Sequence, residues 1–313
     1  MDRGYIGYRQ CFEARADADG REGTHSVFAS LSNCQMSTVV DATLLQHARA
    51  NGWAIGAFNF YNLEQGLGIL RGAEAEGLPV ILQAGEDAFQ CGGREPLAGL
   101  GNGLIKSATV PVGLHLDHAR NLGEVDWALE AGFTSVMFDT APLLFEDAIA
   151  LTREVVEHAH AAGAWVEGEL PSELMTDPGR ASHFAVETGI DALAVAVGNR
   201  HGIQNRAPDL DLDLLTRIAT ATPLPLVLHG GSGLSDTVVA GAIRRGVAKV
   251  NVNAELRRAL RAALGESLRT GPATDQIAAL MNGAIAASRE IAQAKLRAFG
   301  NPSGEAEMPS AAW

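Results

Sequence analysis

Three histidines in this 313-residue chain, His118, His201 and His229, each stand where an apolar run gives way to a loop. Three imidazoles converging on one point make an open zinc site, with a fourth position left for water or substrate. Their spacing matches no local zinc motif. Singly, each reads as a satisfied polar residue at a strand end; together, at one end of one sheet, they read as ligands. Asp117 adjoins His118, and a carboxylate beside a ligand can orient it or act as acid and base on a bound substrate. A loop-capping aspartate is the plainer alternative. Strict alternation sends neighbouring side chains to opposite faces, so Asp117 and His118 share a cavity only if the strand ends or twists there.

Gly230-Gly231-Ser232-Gly233 precedes a helical stretch that begins near Asp236. Glycines there let backbone N–H groups approach an anion, and Ser232 adds a hydroxyl; a tight turn is the competing reading. Lysine occurs only as Lys106, Lys249 and Lys295, so an imine mechanism has few candidates and metal or acid–base chemistry starts ahead. Lys249 shares parity with Asn251 and Asn253. It fits a buried structural lysine, an anion partner or, third, an imine-forming nucleophile.

These residues need elements to hold them. Short apolar runs at 53–60, 79–83, 110–118, 135–139, 164–170, 192–198, 226–230 and 247–253 read as strands. Between them lie stretches with apolar residues at helical spacing, such as 63–77, 124–132, 145–163 and 236–246, several of them ending at glycine. Strands apolar throughout and separated by helices imply a parallel sheet covered on both faces. Eight such units predict a single (β/α)₈ barrel, with a doubly wound sheet as the rival. Polar residues gather where the runs finish: Asp117 and His118, Asp139, Glu167 and Glu169, the Gly198–Gly202 turn, His229, Asn251 and Asn253. The run starts carry no comparable set. In a barrel these ends form one mouth, where sites of this fold are built.

Composition narrows the partners. A hydrophobic fraction of 47% suits a packed core, and a formal net charge of −13 gives no electrostatic footprint for nucleic acid or an anionic membrane. No apolar run approaches the roughly 20 residues that span a bilayer. Cys11, Cys34 and Cys91 are scattered and odd in number, which fits a reducing cytoplasm. Residues 1–35 lack sustained periodicity and lack the core of a secretory signal, so they are expected to be a disordered extension. The barrel is expected over 36–299 and a disordered tail over 300–313.

The segments AIGAFNFYNLE, PVILQ, VPVGLHLDHA, GFTSVMFD, VEGEL, TGIDALAVAVGNRHG, PLVLHGGSGLSD and KVNVNAELR carry a resemblance over about 36–297. The chain resembles the class II, zinc-dependent ketose-bisphosphate aldolases, in the branch of the fructose- and tagatose-bisphosphate enzymes. The resemblance implies zinc on His118, His201 and His229, with Asp139 and Glu169 as acidic residues at an alternative cation position. It implies Asp117 as the catalytic aspartate that exchanges a proton with the C4 hydroxyl. Gly202, Gly230, Ser232, Asn251 and Ala254 match positions that hold a triose phosphate, and Asn59, Gly231, Val252 and Asn253 are assigned to the same side of the site. A monovalent cation beside the phosphate is an optional second ion. The implied partner is a small sugar phosphate, and the implied assembly a homodimer or homotetramer.

The departures from that pattern are specific. The Gly-Gly loop that normally follows VEGEL with a glutamate–aspartate pair is largely missing after Leu170, leaving Glu173 as the replacement acid. Past His201 the usual lysine gives way to Gln204-Asn205-Arg206, so Arg206 is the substitute phosphate contact. Thr140-Ala141 follows Asp139 where glycine and serine are usual. The sequence therefore supports a zinc aldolase acting on a ketose phosphate. Its alternative is a metal-binding homologue whose activity is lost or altered by the shortened loop.

Overall fold

The computed structural model describes residues 39–171, 175–200, 202, 209–270 and 276–301, all within the unit that runs from Ser37 to Trp313. Eight parallel strands close into a barrel in chain order: β1 (Ile55–Asn59), β2 (Val80–Ala84), β3 (Val112–Ala119), β4 (Ser135–Phe138), β5 (Trp165–Glu169), β6 (Ala192–Ala194), β7 (Leu226–Leu228) and β8 (Val247–Val252). Pairing of β1 with β8 removes the open edges that a doubly wound sheet would keep, so the rival architecture is excluded. Every predicted run contains a strand. The sixth and seventh shrink to three residues, because their distal halves leave the ladder to build loops at the mouth.

Among the described residues the helices are α1 (Ala42–Asn51), α2 (Leu63–Glu76), α3 (Glu86–Gly92), α4 (Arg94–Ser107), α5 (Leu122–Glu130), α6 (Phe145–Ala161), α7 (Pro178–Thr188), α8 (Leu212–Ala221), α9 (Asp236–Ile243), α10 (Ala254–Thr270) and α11 (Ile277–Gly300). Side chains of Asn62, Asn121, Asp177, Asp211 and Ser235 accept first-turn amides at their helix starts, satisfying donors the helix itself leaves open. Gly77 and Gly189 close α2 and α7 in the left-handed region, as the sequence pattern requires.

The barrel interior is layered by alternation. Ile55, Ala57, Ile81, Trp165, Ala192, Ala194 and Val227 form a buried apolar floor, packed from below by Leu45 and Ala48 of α1. Arg49 ties α1 to the opposite wall by donating to the carbonyls of Ala219 (2.9 Å) and Thr222 (3.1 Å). The barrel also buries polar residues: Asn59 on β1, Gln83 on β2, His115 on β3, Ser135 on β4, Glu167 on β5, and Lys249 and Asn251 on β8. The floor excludes water from below, so this polar layer can be reached only through the mouth.

Outside the barrel, α11 lies across α2 on small residues. A Cβ at Gly68 would come within 2.5 Å of the Ser288 Cβ and 2.7 Å of the Ile285 carbonyl, so only glycine lets the two helices touch. Gly99 on α4 has no neighbour within 4 Å of the equivalent point. Gly68→Ala is therefore expected to cost about 1–3 kcal/mol by overpacking. Gly99→Ala is expected to add up to about 1 kcal/mol, as helix propensity dictates. Denaturant melts of the two variants check the contrast, and equal effects would refute this packing.

Candidate active site and cation centre

The C-terminal mouth of the barrel holds a cavity of about 470 Å³. Asn59, Asp117, His118, Asp139, Gly202, His229, Gly230, Ser232, Asn251, Asn253 and Ala254 line it, which gathers most of the residues singled out from sequence. Glu169 is brought into the same cluster by its carboxylate. Two assigned residues stand back from the cavity wall. The Gly231 amide is spent on the Asn251 carbonyl at 2.8 Å, and Val252 packs in the outer hydrophobic core. His201, Glu173 and Arg206 lie outside the described residues.

Asp117 and His118 reach one cavity because β3 breaks its alternation between them. Its register against β4 shifts between Leu116 and Ala119, and His118 adopts φ of 58°, the one described non-glycine residue in the left-handed region. That conformation is costly for a residue with a Cβ and persists only when its surroundings hold it. Gly85, at the end of β2, makes room for the manoeuvre: a Cβ there would sit 2.5 Å from the Asp117 carbonyl oxygen.

The Asp117 carboxylate is asymmetric. Oδ2 accepts from the Asn59 amide at 2.9 Å, and Asn59 is itself held by Gln83 at 2.8 Å. Oδ1 is buried and makes no hydrogen bond among the described residues. Burial by itself raises the carboxyl, but His118, His229, Lys249 and the Asn59 bond outweigh it and hold Asp117 below its ordinary range. One oxygen is thus anchored, and the other is a charged acceptor waiting for a proton.

His118, Asp139 and Glu169 each offer a ligand atom, all within 4.8 Å of one another. The His118 and His229 rings are 5.4 Å apart, edge to face. Burial disfavours a charged His118 ring, yet the Asp139 bond, with Asp117 and Glu169 behind it, pushes that ring up to about 9. Glu169 is raised chiefly by burial, and Asp139 is lowered chiefly by His118. A cluster this acidic draws a positive charge to its centre. Mixed imidazole and carboxylate donors fit a divalent transition metal, zinc among them. Thr140 serves the cluster as well: its hydroxyl donates to the Glu169 carbonyl, while Ala141 N–H donates to Asp139 at 3.0 Å. The departure at Thr140-Ala141 therefore steadies both acids.

Opposite the acids, the glycine loop meets the start of α10. Ser232 Oγ accepts from the amides of Asn253 (3.2 Å) and Glu255 (3.4 Å), and Gly233 N–H donates to Glu255 at 2.7 Å. These bonds hold the loop against a helix N-terminus at the cavity wall, a place that favours an anion. Tyr61 and Arg257 were not found from sequence. The Tyr61 hydroxyl meets the Asn253 amide at 3.1 Å. Arg257 lines the cavity beside Ser232 and Asn253. Their signal was proximity to assigned motifs: Tyr61 follows Asn59 within AIGAFNFYNLE, and Arg257 ends KVNVNAELR.

A family model described as class-II fructose-bisphosphate aldolase matches residues 40–303. A sulfofructosephosphate aldolase of Alkalicoccus urumqiensis is 34% identical over 280 residues, covering 85% of this chain and 98% of the relative. A fructose-bisphosphate aldolase of Geobacillus stearothermophilus is 36% identical over 286 residues, covering 87% and 99%. The crystal structure of the YdjI aldolase from Escherichia coli K12 superposes with a TM-score of 0.78 at 35% identity, covering 85% and 98%.

If the acidic cluster is the cation centre, Asp139→Asn and Glu169→Gln each lower the affinity of metal-stripped protein for Zn²⁺ at least about ten-fold by calorimetry. Glu187→Gln, in a surface pair with Arg153, leaves it unchanged. Equal affinity in all three variants would remove the cluster from cation binding.

Proposed function

The chain belongs to the class II fructose-bisphosphate aldolase family, and from that premise we propose a zinc-dependent enzyme that reversibly cleaves a ketose phosphate to dihydroxyacetone phosphate, or a related triose, and an aldehyde. As a family member it is a carbon–carbon lyase. The observation that carries the reading is the Asp117 carboxylate at the cavity wall, with one oxygen anchored by Asn59 and the other buried and without a hydrogen bond among the described residues.

Zinc held by His118 and His229, with His201 assigned from the resemblance, would supply a Lewis acid for the ketone oxygen and for the charge that builds on the three-carbon fragment. The protein's own groups do the rest. Asp117 Oδ1 takes the proton from the hydroxyl of the carbon that becomes the aldehyde, and returns it in the condensation direction. Its low proton affinity keeps it ready as the base at neutral pH. The loop at Gly230 and Ser232, with the N-terminus of α10 at Ala254, suits the phosphate of the triose. Arg257 offers a cation at the same wall.

Lys249 does not suit an imine route. It is fully buried and donates to Glu167 at 2.7 Å, so its ammonium is ion-paired and shielded from substrate. A second reading, a cation-binding relative with altered activity, draws on the short β5–α7 connection. Thr176 N–H donates to the Ala196 carbonyl at 2.8 Å, which fastens that connection to the segment just past β6. Glu173 and Arg206 remain the proposed replacements for the family's missing acid and lysine.

A homodimer or homotetramer in the cytoplasm completes the proposal, and light scattering measures the assembly. No described helix is long and apolar enough to cross a membrane.

The test is a panel of ketose mono- and bisphosphates, assayed for triose phosphate release beside measured zinc content. Asp117→Ala should keep its zinc and lose about 10²- to 10⁴-fold in turnover. EDTA should abolish activity in the wild type. Bound zinc with no cleavage across the panel would favour the second reading, and unchanged turnover in Asp117→Ala would remove that carboxylate from the chemistry.

A further inference from the structure

Beneath the cavity, Glu167 and Lys249 form an ion pair with both side chains fully buried. Glu167 spends its two oxygens on different partners: Oε1 accepts from His229 Nε2 at 2.7 Å, and Oε2 from Lys249 Nζ at 2.7 Å. The same ammonium donates to Asn251 Oδ1 at 2.8 Å. We propose that this pair is one positioning unit, setting both the ring nitrogen that His229 offers to a cation and the amide end that Asn251 offers to substrate.

Donor chemistry makes both orientations obligatory. An ionised carboxylate only accepts, so His229 Nε2 must carry a hydrogen, and Nδ1 is then the ring atom a cation takes. An ammonium only donates, so the Asn251 amide must turn its oxygen down to Lys249 and its NH₂ up toward the cavity that Asn251 lines. Burial opposes the charge on Glu167, but Lys249 and His229 overcome it and keep the carboxyl far below its usual range.

His115 cannot substitute for Lys249. Burial, reinforced by Lys249, holds its ring down to about 3, and its Nδ1 is paired with Ser135 Oγ at 2.8 Å. The ring also stacks on Trp165 at 5.4 Å, which locks its plane. Lys249 is therefore the group that balances Glu167, and through Glu167 and Asn251 it touches both halves of the site. The His229 half stands on geometry alone; the Asn251 half rests on the aldolase reading, because that reading supplies the substrate.

The experiment uses charge-neutral double variants, since one unpaired buried charge would threaten folding whereas replacing a whole pair is often tolerated. Metal-stripped protein is titrated with Co²⁺ and followed by its visible absorbance. Lys249→Met with Glu167→Leu, which removes the carboxylate that faces His229 Nε2, should lose about 10- to 100-fold in Co²⁺ affinity. Lys249→Met with Glu167→Gln, whose amide oxygen still accepts from His229, should return to within about three-fold of wild type. The glutamine variant should still bind dihydroxyacetone phosphate at least about five-fold more weakly, because nothing fixes the Asn251 amide. Wild-type Co²⁺ affinity in the leucine variant overturns the His229 half, and undiminished triose phosphate binding in the glutamine variant overturns the Asn251 half.

Nitrogen-15 spectra of the wild-type histidines need no variant to fold beyond a His229→Gln control for assignment. A His229 ring without hydrogen on Nε2 overturns the proposal. If wild-type protein neither binds nor cleaves any ketose or triose phosphate, the functional reading fails, while the Co²⁺ contrast still decides the His229 half.

Discussion

Four carboxylates, Asp117, Asp139, Glu167 and Glu169, converge at one end of a barrel whose other end is sealed by apolar side chains. Charge balance among them is the constraint on which the site depends. Ionised groups out of water are tolerable only when paired, and each pairing here has a consequence. Lys249 neutralises Glu167 from below. His118 lies between Asp139 (3.4 Å) and Asp117 (4.0 Å), and both acids favour a positive charge on its ring. A divalent ion at the upper cluster would do what that proton does, with more charge and with directional bonds. His118, Asp139 and Glu169 thus form a group that could hold a cation.

Geometry enforces the separation into two tiers. Alternation along β5 points Trp165, Glu167 and Glu169 into the barrel at successive heights, so one strand contributes floor, buried ion pair and cluster. On β3 the same rule would have parted Asp117 from His118. The strand instead breaks its register and takes a left-handed turn at His118. The cost is borne by neighbours that hold the residue there: the Asp139 contact on the ring and the glycine at 85 beside the Asp117 backbone. Strain of this kind, at a position where two chemical groups must meet, is a mark of a working site rather than of a fault in the fold.

The wall proposed to take an anion is assembled differently: the Ser232 hydroxyl and backbone amides tie the glycine loop to α10. A formal net charge of −13 does not oppose that proposal. Oriented dipoles act over a few ångströms, whereas the overall charge governs only encounter at longer range. The relatives act on ketose phosphates that differ at the far end, by their names a bisphosphate and a sulfo-phosphate.

Much of this was readable without coordinates. Eight apolar runs separated by helical stretches determined a parallel α/β fold, because burial on both faces leaves no alternating polar positions. The clustering of His118, Asp117, Asp139, Glu169 and His229 at run ends pointed to the mouth, where the fold brings these side chains together. What no linear reading could decide was closure, since strand order depends on pairing between distant segments such as β1 and β8. Parity and chemistry alone could not separate Glu167 from Glu169; only the family resemblance singled out Glu169. They share parity and chemistry, and only their height in the barrel makes one a partner of Lys249 and the other a member of the cation cluster. Lys249 stayed equally open, as nucleophile, anion partner or buried counter-charge, until the fold supplied its neighbours. The physical reason is the same in each case: sequence fixes which side chains can ionise or donate, but the free energy of a charge is set by what lies within a few ångströms of it, and that is decided only when the barrel closes.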